Sequence, residues 1–156
     1  MLLKKLSLAV ATALVFASPV FAAPSAAQVS QHYANLVEAN YQDVFTRFKA
    51  LQTAIDAFVA APSAEGLEQA KQAWLAAREP YGQTEAFRFY AGPIDDAKGP
   101  EGQINAWPLD ESYIDYVKGN PKAGIINKPN VAITKQKLAS LNEKGGEENV
   151  STGFHA

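Results

Sequence analysis

The chain has 156 residues, of which 47% are hydrophobic and 19% are charged, with no cysteine and one methionine. This composition is too apolar for a disordered chain and suits one globular domain. Without cysteine, the chain can form no disulfide, no thiolate nucleophile and no cysteine-based metal site. The formal net charge is −2, so the chain lacks the basic excess that proteins binding nucleic acid normally carry.

The first 22 residues have the pattern of an export signal. Two lysines precede an apolar run, residues 6 to 16, which is too short to span a bilayer. The small residues Val20 and Ala22 fit the positions before a cleavage site, so we expect a signal peptide at residues 1–22. Residues 23–156 would then form one domain in the periplasm or cell envelope, with no transmembrane segment after cleavage. An uncleaved membrane anchor is the alternative.

A long amphipathic helix should open the mature chain. Apolar residues recur at steps of three and four from Val29 to Val59. Ser25 followed by Gln28 is a capping-box pattern, and Pro62 should end the helix because proline cannot continue its hydrogen bonds. A helix of this length predicts an all-α, bundle-like fold.

A second helix should begin after Ser63, a residue that can cap it. Its apolar positions run from Leu67 to Tyr81 at helical spacing. Pro80 lies inside this pattern, so we expect a kink there, with the helix continuing to Gly92.

The remainder of the chain should be mostly irregular. Glycine and proline are frequent from residue 92 to 108, which predicts a long loop of the kind that often carries function. Asp110 should cap a short helix that extends to Val117, and another helix is expected at residues 134–141. Ser151 or Thr152 looks like the cap of a further helix, so we expect the chain to be an incomplete protein.

Two histidines are present. His32 lies at the edge of the apolar stripe of the first helix, where a packed or surface role is expected. His155 follows Gly153 in the expected helix start, where a small residue and free backbone N–H groups allow a ligand to approach. From its position alone, His155 is equally consistent with a surface residue.

Charged residues pair at helical spacing in two places. Glu85 and Arg88 are three residues apart, and Glu111 and Asp115 are four apart, so each pair shares a helix face. These are either ordinary solvated pairs or part of a carboxylate cluster that, with an imidazole, binds a metal or relays protons. Trp107, near these acids, is either a packing anchor or a pocket wall.

Three blocks of the sequence resemble the imelysin family. They are residues 77–89 (AREPYGQTEAFRF), residues 92–95 (GPID) and residues 105–116 (NAWPLDESYIDY). Residues 151–156 (STGFHA) resemble the start of that family's GxHxxE signature, whose glutamate would fall three residues after His155, beyond Ala156. The resemblance implies an exported, all-helical cell-envelope protein built from two bundle-like halves, of which this chain would be the first.

The resemblance also implies a metal site. The family's grouping with metallopeptidases implies proteolysis, whereas other members resemble iron-regulated proteins and periplasmic components of iron uptake. A zinc hydrolase needs about three protein ligands and a general base, so the few candidates here favour metal binding over proteolysis. Imidazole and carboxylates suit iron as well as zinc, and the ion that we expect is iron. We expect His155 and Glu85 to be the metal ligands. The expected pocket or surrounding residues are Arg88, Trp107, Asp110, Glu111, Asp115 and Gly153.

Three functions therefore follow from the sequence. The favoured one is an exported iron-binding protein that works with iron-uptake components of the cell envelope. A metallopeptidase is the second, so whether the chain is an enzyme stays open. The third is a non-catalytic helical interaction module whose acidic residues are simply solvated.

Overall fold

The computed structural model describes residues 23–156, and the expected signal peptide lies outside these residues. In this part of the chain the fold is all-helical, which confirms the predicted fold class, and the only β-type pairing there is an isolated bridge. The helices are α1 (Ala26–Ala60), α2 (Ala64–Gln83), α3 (Glu101–Ile104), α4 (Glu111–Ile114) and α5 (Lys135–Leu141). Short 3-10 turns occur at Thr84–Phe87 and Ile125–Asn127.

Helix α1 begins with the predicted capping box. The Ser25 hydroxyl accepts a hydrogen bond from the Gln28 N–H at 3.3 Å, and the Ser25 N–H donates to Gln28 Oε1 at 2.8 Å. The helix continues for 35 residues and ends at Ala60, two positions before Pro62. At ~1.5 Å per residue, α1 is a rod of roughly 50 Å.

Helix α2 runs back along α1. The Ser63 hydroxyl caps it by accepting from the Gly66 N–H at 3.0 Å, as predicted. Near the other end of α2, the ring centroids of Phe48 and Tyr81 are 5.8 Å apart. Because the connection between the helices is only three residues long, the two helices must be antiparallel.

The end of α2 differs from its prediction. The helix passes through Pro80 and changes at Thr84 into the 3-10 turn, so it does not reach Gly92. Phe89 (φ 72°) and Ala91 (φ 57°) adopt left-handed conformations that a helix cannot contain. The Asp95 carboxylate stabilises this exit by accepting from the Phe89 N–H at 2.5 Å and the Gly92 N–H at 3.0 Å.

The short helices α4 and α5 lie close to their predicted positions. Asp110 caps α4 through the Ser112 N–H at 2.9 Å, and the Thr134 hydroxyl caps α5 at 3.1 Å. Helix α4 ends at Ile114, earlier than predicted, because Val117 instead forms a tight bridge with Asn120.

The prediction of a helix after residues 151–152 was wrong. The Ser151 hydroxyl donates to the Leu138 carbonyl at 2.8 Å and therefore caps nothing. Gly153 has a φ of +84°, outside the helical region, and the Phe154 N–H donates to the Ile104 carbonyl at 2.8 Å. The segment is thus an irregular strap against α3 and α5.

The buried core is small relative to the apolar surface of the two long helices. Val44, Ala70, Ala77 and Tyr81 are buried where α1 meets α2, while large side chains such as Phe45 (61% exposed) stay in solvent. Among the helices of residues 23–156, none is both long enough and apolar enough to cross a membrane.

Candidate functional site

A polar cleft of about 450 Å³ opens where the end of α2 meets α3 and the C-terminal strap. Three stretches of the chain contribute to it, at residues 78–88, 101–107 and 155. Its lining consists of Arg78, Glu85, Arg88, Glu101, Asn105, Trp107 and His155.

Arg88 is the buried centre of the cleft, with a side chain only 8% exposed. Its Nη2 lies 3.1 Å from Glu85 Oε1, and its Nη1 lies 2.8 Å from Glu101 Oε1. The side chains of Glu85 and Glu101 are 45% and 33% exposed, respectively, so the two carboxylates form the solvent-exposed side of the cluster. One guanidinium therefore fixes two carboxylates in place, as its planar fork of donors allows.

Asn105 presents an unsatisfied acceptor. Its Nδ2 donates to Glu85 Oε1 at 3.2 Å, which fixes the orientation of the amide, because a flip would bring two oxygens together. The Asn105 Oδ1 is buried and has no hydrogen-bond donor among the described residues. A buried acceptor of this kind is costly unless a donor or a cation satisfies it.

Arg78 presents an unsatisfied donor on another wall. Its Nη1 is buried with no acceptor among residues 23–156, and its guanidinium lies 5.1 Å from the centre of the Phe154 ring. The Phe154 ring in turn contacts Tyr81 at 5.2 Å, Phe48 at 5.6 Å and Trp74 at 5.7 Å. An aromatic cluster, rather than a carboxylate, thus positions this positive charge.

His155 reaches the cleft because of the two residues before it. A Cβ on Gly153 would overlap the Ile104 carbonyl. The φ of +84° at this position would also strain any residue other than glycine, so both observations favour glycine. The Phe154 side chain fills the aromatic cluster on one side of the strap. His155 then faces Trp107, with ring centroids 5.0 Å apart.

Tyr81 lies beneath the cleft and is 1% exposed. Burial raises the pKa of its hydroxyl, and the nearby Arg88 charge opposes part of that rise. The hydroxyl has no hydrogen-bond partner in the part of the chain described. Tyr81 is therefore a neutral packing residue across the ordinary pH range.

The structure brings four of the predicted site residues to one cleft: Glu85, Arg88, Trp107 and His155. Gly153 is outside the lining, although it positions the strap. The remaining three, Asp110, Glu111 and Asp115, are not in the cleft lining either.

Those three acidic residues lie on and beside α4. Asp110 is the cap of α4, and Glu111 is in its first turn. Asp115 accepts from Asn127 Nδ2 at 3.0 Å, which stabilises the following loop.

Sequence reasoning missed three cleft residues: Arg78, Glu101 and Asn105. Arg78 could have been found, because it lies seven residues before Glu85, about two helical turns along the same face. Asn105 lies in one of the blocks that carry the family resemblance. Glu101 follows a glycine- and proline-rich loop, and no periodicity links it to the other residues.

The assignment of metal ligands stays a prediction. Within residues 23–156, no group of three or more histidine and acidic side chains is arranged to hold a metal ion. Glu85 and His155 share the cleft lining, and each offers a donor type that iron and zinc accept.

A family model and a curated relative are similar to this chain. Residues 37–156 match the family model for M75 peptidases, which is described as Imelysin. The chain is also 35% identical over 86 residues to a protein named "Iron-regulated protein A" from Synechococcus elongatus. That alignment covers 55% of the present chain, which spans only 23% of the relative's length.

Proposed function

Because the chain belongs to the imelysin family, we propose that it is an exported iron-binding protein of the cell envelope that acts in iron acquisition. Glu85 and His155 are its iron ligands. The observation that carries this proposal is that these two side chains, from distant parts of the sequence, line one polar cleft.

The chemistry of the cleft fits an iron ion as cargo. A carboxylate and an imidazole are both suitable iron ligands. Both polar contacts of the Glu85 carboxylate with other described residues, Arg88 and Asn105, use its Oε1, so Oε2 is available to a ligand. The buried Oδ1 of Asn105 lacks a donor, and a cation would satisfy it.

Two considerations favour iron transport over hydrolysis. A zinc hydrolase needs about three protein ligands together with a general base. The two ligands proposed in this cleft, Glu85 and His155, are fewer than that. The relative from Synechococcus elongatus is named as an iron-regulated protein. The export pattern at residues 1–22 agrees with a role beside iron-uptake components of the envelope, which are the proposed partners.

Equilibrium dialysis of the full chain against ferrous and zinc ions tests this function. Glu85→Gln keeps the size of the side chain but removes its charge, and His155→Ala removes the imidazole. We expect both ions to bind, since imidazole and carboxylate suit either, and each substitution to weaken iron binding about tenfold or more.

His32→Ala is the matched control, because His32 is exposed on α1. It should leave iron binding unchanged. Iron binding that survives both Glu85→Gln and His155→Ala would contradict the assignment. Metal-dependent cleavage of a denatured protein substrate that is lost in His155→Ala would instead identify the chain as a metallopeptidase.

A further inference from the structure

We propose that Arg78 forms a carboxylate-binding subsite in the same cleft, so that the protein takes up iron as a carboxylate-bearing chelate. That the bound carboxylate belongs to an iron chelate rests on the proposed function. The binding of a carboxylate rests on Arg78 alone and can be tested without metal.

The two arginines of the cleft each have a buried N–H without an acceptor among the described residues, but they differ in their carboxylate partners. Arg88 already has two carboxylate partners, Glu85 and Glu101, at 3.1 and 2.8 Å. Arg78 has no carboxylate partner among the described residues, and its Nη1 is buried without an acceptor. A buried, unsatisfied N–H of a charged group costs more than that of a neutral one, so this position favours an anionic acceptor.

The charge of the cleft supports the same conclusion. The cleft contains two arginines and two glutamates, and both glutamates form their ion pairs with Arg88. The cluster of Arg88, Glu85 and Glu101 therefore carries a net charge of −1, whereas Arg78 carries its positive charge on a separate wall of the cleft. A chelate matches both charges, because its metal cation suits the acidic cluster and its carboxylate can pair with the guanidinium of Arg78.

The position of Arg78 is fixed before any ligand arrives. Its guanidinium lies over the face of Phe154, 5.1 Å from the ring centre, and Phe154 immediately precedes the proposed ligand His155. The anion subsite and the iron ligand are therefore held by the same aromatic cluster. A planar guanidinium matches the two oxygens of a carboxylate, and about 450 Å³ accommodates a small organic chelate.

Binding of radiolabelled citrate without metal tests the anion subsite. The full chain should bind citrate, and Arg78→Met should lower its affinity about tenfold or more, because the charged hydrogen bonds are lost. Arg78→Lys should lower it less, since the charge remains without the fork. Arg47→Ala removes an exposed arginine of α1 and should change nothing.

Parallel measurements with anaerobic ferrous ion and with ferric citrate separate this inference from the proposed function. We expect Arg78→Met to weaken ferric citrate binding about tenfold and to leave ferrous ion binding unchanged. Equal affinities of the wild type and Arg78→Met for citrate and ferric citrate would overturn the subsite, even where ferrous ion binds. Arg78-dependent citrate binding without any iron binding would support the subsite and contradict the proposed function. A thermal melt of each variant shows that the fold is retained.

Discussion

Nη1 of Arg88 lies 2.8 Å from Oε1 of Glu101, and this ion pair joins the segment that follows α2 to the first residue of α3. The same guanidinium holds Glu85 through Nη2 at 3.1 Å. Two walls of the cleft are thereby connected through one buried side chain.

Glu101→Gln should destabilise the protein by about 1 kcal/mol, because it removes one of the two charges that compensate buried Arg88. The value is modest because the Glu101 side chain is 33% exposed and water screens the pair. Urea unfolding measures it, with Glu147→Gln, an exposed residue, as the control. Equal stability of the two variants would show that the pair contributes nothing to the fold.

Gly153→Ala should cost more than Gly119→Ala, although both glycines have positive φ angles of 84° and 91°. A Cβ on Gly119 meets nothing within 4 Å, whereas one on Gly153 overlaps the Ile104 carbonyl. We expect a loss of about 1 kcal/mol at Gly119 from backbone strain alone, and about 2–4 kcal/mol at Gly153 from strain and overlap. Chemical denaturation of both variants checks the difference. Similar losses would contradict the close approach of the strap to α3.

Phe154→Ala should lower the free energy of unfolding by about 2–3 kcal/mol, because the ring contacts three other aromatic rings and the Arg78 guanidinium. Phe89→Ala is the matched control, since Phe89 is 87% exposed. It should change stability by less than about 0.5 kcal/mol. A Phe154 variant as stable as the Phe89 variant would show that the strap does not dock in the aromatic cluster.

Tyr81→Phe should stabilise the protein by about 1 kcal/mol, because the buried hydroxyl it removes has no partner among residues 23–156. It should also change the response to alkali. Burial raises the pKa of Tyr81 in the folded state, so ionisation of this tyrosine disfavours the folded state. The protein therefore keeps its full stability below the unfolded pKa of about 10 and loses stability as the pH rises through the folded pKa.

Thermal melts between pH 8 and pH 11 measure both effects. The wild type should lose more stability than Tyr81→Phe above about pH 10. Tyr116→Phe, at a tyrosine that is 64% exposed, is the control and should resemble the wild type. A lower stability of Tyr81→Phe at neutral pH would indicate that the hydroxyl has a partner.

The sequence predicted those parts of the fold that depend on local interactions. The predicted caps at Ser25, Ser63 and Asp110 are each decided within a few residues, and all three are present. The exit of α2 was missed because it depends on Asp95, which accepts N–H groups from residues that precede it by up to six positions.

The candidate site was predictable only in part for the same reason. Spacing linked Glu85 to Arg88, and resemblance drew attention to Trp107 and His155. Nothing local places Glu101 against Arg88, because that pairing depends on how the loop after α2 folds back. The strap was misread as a helix because tertiary bonds, such as the one from the Phe154 N–H to the Ile104 carbonyl, outweigh its local capping pattern.

The most direct test of the central claim is a double-mutant cycle of ferrous-ion affinity over wild type, Glu85→Gln, His155→Ala and the double variant. If both side chains bind one ion, the combined loss should be clearly smaller than the sum of the two single losses, with a coupling of about 1 kcal/mol or more. Losses that simply add, or an iron affinity that is unchanged throughout the cycle, would contradict a shared iron site in this cleft.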